Sequence, residues 1–295
     1  AQTNAKLLCL ENTHNFSGGY VIPVEEMAKL RAVADKHGAH IHMDGARLFH
    51  AAAALGVEAK EITQYVDSVM VCISKGIGAP VGSLLCSTKE QITKAREIRK
   101  VIGGGMRQAG IIAAPGIYAL KHDLSRMKDD ITHAQLTASL LQGKLHRLKM
   151  QDKIQSNILV LDCSKAKVTP SEFCSMAEKK GLLIKTVLKT SVRLVYYKGI
   201  TEEDARKAAE ILKNSRRIVA TEIMAACQAL DLKPENHELG KGTKPAYELI
   251  RQKLNFIEFD KDIEIFEELN KASAVVESEE FLATIEKAVD LSIQY

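Results

Sequence analysis

The chain opens on a short apolar run, KLLCLE at 6–11, which predicts a buried strand. Pro23 then begins VEEMAKLRAVADKHG, with apolar residues at helical spacing, acids in the first turn and Gly38 at the end, so a capped helix is expected. AHIHMD (39–44) predicts a second strand ending at Asp44, and RLFHAAAALGV an Ala-rich helix. DSVMVCIS (67–74) predicts a third strand running up to Lys75, GSLLCS (82–87) a fourth, and KEQITKAREIRKVI (89–102) an amphipathic helix. Strands and helices alternating at these intervals are the pattern of a layered α/β domain with a mainly parallel sheet.

The pattern changes after residue 115. Residues 116–149 read as one long helix with an apolar stripe through Leu120, Leu124, Met127 and Ile131. A strand (NILVLD, 157–162), a helix (SEFCSMAEKKG), a short strand near LLIKT, a strand (SVRLVYY, 191–197) and a helix (TEEDARKAAEILKN) follow, which suggests a smaller α+β domain. Residues 218–295 contain no convincing strand and read as helices broken by the loop KPENHELGKGTKP. The expected organisation is an incomplete three-layer large domain at 1–115, a small α+β domain at 116–217 and an all-helical tail at 218–295.

Charge sharpens that division. The last 78 residues carry 8 basic and 16 acidic side chains, whereas residues 1–217 carry 33 and 21, a swing from +12 to −8. The basic part lacks an aromatic-interleaved stripe, so an anionic cofactor or substrate is a better expectation than nucleic acid. Hydrophobic residues make up 46% and charged residues 26%, an ordinary globular composition that excludes disordered and collagen-like chains. No apolar run has the length of a membrane span, and no secretory signal is read at the start. Six scattered cysteines without a CxxC read as reduced thiols of a cytoplasmic protein, most of them small core residues.

In open α/β sheets ligands lie beyond the carboxyl ends of the strands. Three polar signals fall there: Glu11-Asn12-Thr13-His14-Asn15, Asp44-Gly45-Ala46-Arg47 and Ser74-Lys75-Gly76. A lysine directly after a buried strand, if partly desolvated, has a lowered pKa and can act as an amine nucleophile. An aspartate at a neighbouring strand end can keep a pyridinium nitrogen protonated, and the two together are what pyridoxal phosphate requires. Each residue also has a plain structural reading: Lys75 and Arg47 on a solvated face, Asp44 as a helix cap, His14 as a loop histidine, Arg193 paired with an acid. His42 and His50 read as structural.

The segments ENTHN…GG, HMDGARLF, SVMVCISKGIGAPVGS and RKVIGGGMRQAG, in that order, resemble the low-specificity L-threonine aldolases over about residues 5–215. That family has the aspartate-aminotransferase type of pyridoxal-phosphate fold and cleaves β-hydroxy-α-amino acids, so L-threonine would give glycine and acetaldehyde. The resemblance implies Lys75 as the Schiff-base lysine and Asp44 as the partner of the pyridine nitrogen. It implies Arg47 as a ligand of the cofactor ring oxygen or the substrate carboxylate, and Arg193 as a carboxylate-binding arginine. His14 would lie near the substrate's β-hydroxyl. Arg107, after Gly103–Gly105, would reach the cofactor phosphate across a subunit interface. The implied partners are an amino-acid substrate and further copies of the chain, with no nucleic acid, membrane or metal.

Two departures accompany the resemblance. The family's N-terminal motifs are not found: the phosphate-binding turn, the ring-stacking histidine and the serine that contacts the substrate carboxylate. Tyr196-Tyr197 also replaces a Thr-His pair in what is expected to be pocket wall. Residues 220–262 resemble the C-terminal helical region of histidine ammonia-lyases, whose electrophile forms from an Ala-Ser-Gly triad that this sequence lacks. Glu258, Asp260 and Asp262 read as a solvated acidic turn. The tail's apolar residues Ile223, Met224, Leu230, Ile250, Leu254, Phe256, Ile265 and Phe266 are expected to pair with other copies or stay loosely folded. The competing readings are an ammonia-lyase-like fragment and a non-catalytic remnant.

Overall fold

A computed structural model describes residues 5–145, 148–166, 168–232, 239–240, 243–254, 265–276 and 278–288. The chain divides into two compact units, Ala1–Ala209 and Glu210–Tyr295.

The first unit begins with β1 (Leu7–Glu11), α1 (Val24–Lys36), β2 (His40–Asp44), α2 (Leu48–Leu55), α3 (Ala59–Thr63), β3 (Ser68–Cys72), β4 (Ser83–Cys86) and α4 (Lys89–Val101). The sheet order is β1-β2-β3-β4, with the first three strands parallel and β4 antiparallel to β3. Strand alternation decides the faces. Ile41 and Met43 of β2 and Val69 and Val71 of β3 are buried on one face. Most of these pack in a core with Met27, Leu48, Ala51, Ile62, Ile77, Ala119 and Met127. The alternate positions, His42, Asp44, Ser68 and Cys72, point to the other face.

β1 is not the buried strand its composition predicts: it lies at the sheet edge, and Leu7 and Cys9 are exposed. The third strand also stops at Cys72, three residues short of Lys75, where the chain bends after one last bond in the β4 register, from Ile73 N–H to Gly82 O (3.1 Å). All four β4 residues are exposed, and α4 buries none of its residues.

The long helix expected over 116–149 is in fact several elements. They are α5 (Gly110–His122), a 3-10 turn (Leu124–Arg126) and α6 (Met127–Leu141), followed by β5 (Lys149–Met150). The first break falls at Asp123, whose carboxylate accepts from Lys198 Nζ (2.7 Å). The second is set by Gly143, which takes a left-handed conformation (φ 69°) just past the end of α6.

β6 (Ile158–Asp162), α7 (Pro170–Glu178), β7 (Lys185–Thr186) and β8 (Ser191–Val195) complete an antiparallel sheet of order β5-β6-β8-β7. Thr169 and Glu172 form a capping box at the start of α7. Tyr196 is core rather than pocket wall: it is buried, and its hydroxyl donates to Thr137 Oγ1 of α6 (2.6 Å). Tyr197 is exposed.

α8 (Glu202–Asp231) runs unbroken past residue 217, where the charge balance flips, because no Gly or Pro interrupts it. α9 (Thr243–Lys253), α10 (Ile265–Val276) and α11 (Glu279–Ala288) follow. The second unit has a core of its own. Cys227, Leu249, Ile250, Leu254, Ala272 and Phe281 are buried together, with Ile223 and Met224 packed against them. These residues therefore satisfy one another within the unit rather than lying loose. Phe256 and the acids Glu258, Asp260 and Asp262 lie outside the described residues, as do the side chains of Ile265 and Phe266. Of the six cysteines only Cys163 and Cys227 are buried; Cys9 and Cys86 lie exposed, because their strands are at the two edges of the first sheet. Among the described residues no helix is long and apolar enough to cross a membrane.

Candidate active site

Because β1, β2 and β3 are parallel, the segments that follow them emerge at one edge of the sheet. Glu11 and Asp44 are register partners at that edge. Asn12, fully buried, extends the pairing by donating its backbone N–H to Asp44 O (3.0 Å). Its side-chain amide both donates to and accepts from the backbone of Ile22, each at 3.2 Å. That staple closes the loop that carries His14 and Asn15.

Asp44 does not cap a helix. α2 starts at Leu48 with Arg47 in the capping position, and Asp44 Oδ1 instead accepts from Ala46 N–H (2.9 Å). Its Oδ2 makes no hydrogen bond among the described residues. Gly45 is needed here: a Cβ would lie 2.9 Å from Met70 O and 2.9 Å from Val69 Cγ2, so only glycine lets the turn sit on β3.

Two arginines from different parts of the chain meet at Asn15. Arg47 Nη1 donates to Asn15 Oδ1 at 3.2 Å, and Arg193 Nη1, from β8, donates to the same oxygen at 2.5 Å. Asn15 is oriented in turn by its backbone N–H, which donates to Glu11 Oε1 (3.0 Å). Arg47 is buried, and its pKa is lowered first by that burial and next by the charge of Arg193; Glu11, Cys72 and Asp44 act the other way. The Nε atoms of both arginines are buried without a partner. Two guanidiniums, one buried and one half-buried, sharing one neutral acceptor with donors left over, form a site suited to a carboxylate.

His14 is partly exposed. Its Nδ1 accepts from Ser17 N–H (3.1 Å), so the neutral ring carries its proton on Nε2, which lies 3.6 Å from Glu11 Oε2. Lys75 follows β3 at the same edge of the sheet. It is exposed rather than desolvated, and its side-chain amine makes no hydrogen bond or ion pair among the described residues. Arg107 is not brought to the site: it is exposed in the segment between α4 and α5 and has no partner among the described residues. His42, read as structural, bonds Ser68 Oγ through Nδ1 (2.8 Å).

Sequence reasoning passed over Asn15, which stands inside the ENTHN segment and could have been found there. It also left a buried network around His50 unread. His50 Nε2 lies 2.9 Å from Asp130 Oδ2, and Arg126 Nη1 donates to Asp130 Oδ1 at 2.5 Å. No local pattern links residues 80 positions apart.

Comparison with known proteins follows the same division of the chain. Residues 200–252 match the aromatic amino acid lyase family. Over 91 residues the chain is 86% identical to histidine ammonia-lyase of Streptococcus sanguinis (strain SK36), a match that covers 31% of this chain and 18% of that enzyme. Over 203 residues it is 38% identical to low-specificity L-threonine aldolase 1 of Arabidopsis thaliana, covering 68% of this chain and 56% of the relative. The chain thus spans little more than half the length of its aldolase relatives. A solved threonine aldolase from Leishmania major superposes with a TM-score of 0.59 at 20% identity, covering 71% of this chain and 61% of that one. The fold is accordingly the α/β fold of the pyridoxal-phosphate enzymes of aspartate-aminotransferase type, followed by a helical C-terminal region. The beta-eliminating lyase model matches residues 1–164, more than half the chain, and the chain belongs to that family.

Proposed function

We propose that the first unit serves pyridoxal-phosphate-dependent carbon–carbon cleavage of β-hydroxy-α-amino acids, with L-threonine giving glycine and acetaldehyde. The observation that carries this reading is the Arg47–Asn15–Arg193 cluster, with Arg47 buried and Asn15 and Arg193 half-buried, whose two orphaned Nε–H groups suit an amino-acid carboxylate. Asp44, with one carboxylate oxygen unbonded, and Lys75, with an unpaired amine, fit the ring nitrogen and the aldehyde of the cofactor. When bound, the cofactor supplies an electron sink for the bond broken between Cα and Cβ.

The chain's own residues do the rest. Arg47 and Arg193 fix the carboxylate, and so the direction of the Cα–Cβ bond. Asp44 holds a proton on the ring nitrogen. His14 sits beside Glu11, which stabilises the imidazolium when the ring takes up the β-hydroxyl proton. That uptake occurs at Nδ1 and displaces the Ser17 N–H bond. Arg107 reaches a phosphate only in another copy of the chain. Its sequence neighbours Val101 (86% exposed), Ile102 (76%) and Ile111 (76%) are exposed apolar side chains, which a homo-oligomer would cover. The six free thiols agree with a cytoplasmic setting. The helical tail, 218–295, takes no part in the chemistry in this reading.

The test is a product assay. The chain, supplied with pyridoxal phosphate and L-threonine, is expected to release acetaldehyde and glycine in equal amounts. Release of ammonia or a keto acid without aldehyde would instead assign elimination or transamination.

A further inference from the structure

We propose that His50, Asp130 and Arg126 form a positioning clamp on the peptide that follows Lys75; the assignment of Lys75 as the cofactor-holding amine is taken from the function proposed above. The clamp grips Gly76 in two ways. Arg126 Nη2 donates to Gly76 O. The His50 ring packs on the α-carbon so closely that a Cβ at Gly76 would lie 2.0 Å from His50 Cε1. Asp130 ties the two gripping groups together, accepting from Arg126 Nη1 at 2.5 Å and lying 2.9 Å from His50 Nε2.

The cluster is expensive to bury. His50 is 2% exposed and Asp130 1%. Burial lowers the pKa of His50 despite the opposing carboxylate, so the ring is neutral and donates Nε2–H. A buried carboxylate bridging a guanidinium and an imidazole is seldom the most stabilising way to fill a core. Arg126 Nε is left buried without a partner, so the bonds that are made run through Nη1 and Nη2. Buried polar networks rigidify the groups they join, and this one ends on the peptide next to Lys75. The loop is otherwise held by short-range bonds, Gly78 N–H to Lys75 O and Ala79 N–H to Ile73 O, both 2.9 Å. The Lys75 amine has no partner among the described residues, so its aim depends on how its backbone is held.

The experiment compares Arg126→Met with Arg31→Met. Arg31 makes an ion pair with Asp67 (2.8 Å) on a different part of the same unit and serves as a control for general loss of stability. Two quantities are read on full-length protein. One is deuterium exchange of the Gly78 and Ala79 amides without cofactor, and the other is the rate at which cyanoborohydride fixes pyridoxal phosphate on Lys75. In Arg126→Met the amides are expected to exchange roughly tenfold faster. Fixation on Lys75 should slow by about tenfold to a hundredfold, with kcat lowered more than KM changes. Arg31→Met should match wild type in each after correction for its unfolding midpoint. Wild-type exchange and fixation in Arg126→Met, or equal changes in Arg31→Met, would overturn the clamp. Lys75→Ala separates the two ideas: retention of fixed cofactor in that variant would refute the role of Lys75, while the exchange of Gly78 and Ala79 would still decide whether the clamp exists.

Discussion

Replacing Asn15 by Asp places a carboxylate oxygen where the amide oxygen now accepts from Arg193 Nη1 at 2.5 Å and Arg47 Nη1 at 3.2 Å. Both neighbours are cations, and Arg47 is buried. Converting two hydrogen bonds with a neutral acceptor into bonds with an ionised one should add about 2 kcal/mol to the stability of the empty protein. The same charge sits where a substrate carboxylate is expected to pair. The net charge of the cluster falls from two positive to one, so affinity for an amino acid should drop by about 2 kcal/mol, roughly thirtyfold in Kd. Stability and affinity thus move in opposite directions. Asn15→Leu should lower both, because it leaves two guanidinium N–H groups without their acceptor, at a cost of about 1.5–3 kcal/mol. Urea unfolding followed by circular dichroism measures the first quantity, and calorimetric titration of the cofactor-loaded protein with glycine the second. Glycine binding as tight in Asn15→Asp as in wild type would refute the assignment of this cluster as the carboxylate site.

Other expectations follow from the same structure. Burial pushes the Tyr196 hydroxyl up to about 12 from an ordinary 10.0. The folded state therefore holds this proton more tightly, and roughly 3 kcal/mol of stability present below pH 10 is lost as pH rises to 12. Tyr196→Phe should flatten that alkaline limb in urea unfolding, and an unchanged limb would show that another group produces it. Gly45→Ala should destabilise the fold by about 1–3 kcal/mol, since its Cβ meets the Met70 carbonyl; a wild-type melting midpoint would contradict the close approach of β2 and β3 there. Iodoacetamide at pH 8 should label exposed Cys9 and Cys86 well before Cys163, whose thiol is buried and pushed up to about 11. Mass mapping that finds Cys163 labelled first would contradict its burial.

Much of the first unit is legible in its pattern. β2 and β3 declare themselves by alternation, and α1 by its apolar spacing and terminal charges. β1 misleads because an apolar composition cannot reveal that a strand lies at a sheet edge, where Leu7 and Cys9 meet solvent. The helix expected over 116–149 fails for a related reason. Its break at Asp123 involves Lys198, 75 residues away, and the apolar stripe continues on both sides of it. The site shows the same limit. Asp44, Lys75 and Arg47 lie in contiguous motifs next to strand ends. Asn15 gains its meaning only when β8 brings Arg193 to it, and Asp130 only when α6 packs on α2. The tail's core likewise depends on α9 and α11 meeting the residues around Cys227, which no single helix face announces.

The central claim is that Lys75 is the residue through which this chain holds pyridoxal phosphate at the carboxyl edge of β1–β3. The direct measurement is to load the full chain with pyridoxal phosphate, reduce it with borohydride, digest it and map the mass of the fixed cofactor, with Lys75→Ala treated in parallel. One adduct per chain on the peptide containing Ser74-Lys75-Gly76, absent from Lys75→Ala, is the predicted result. An adduct spread over other lysines, or equal labelling of the variant, would contradict the account.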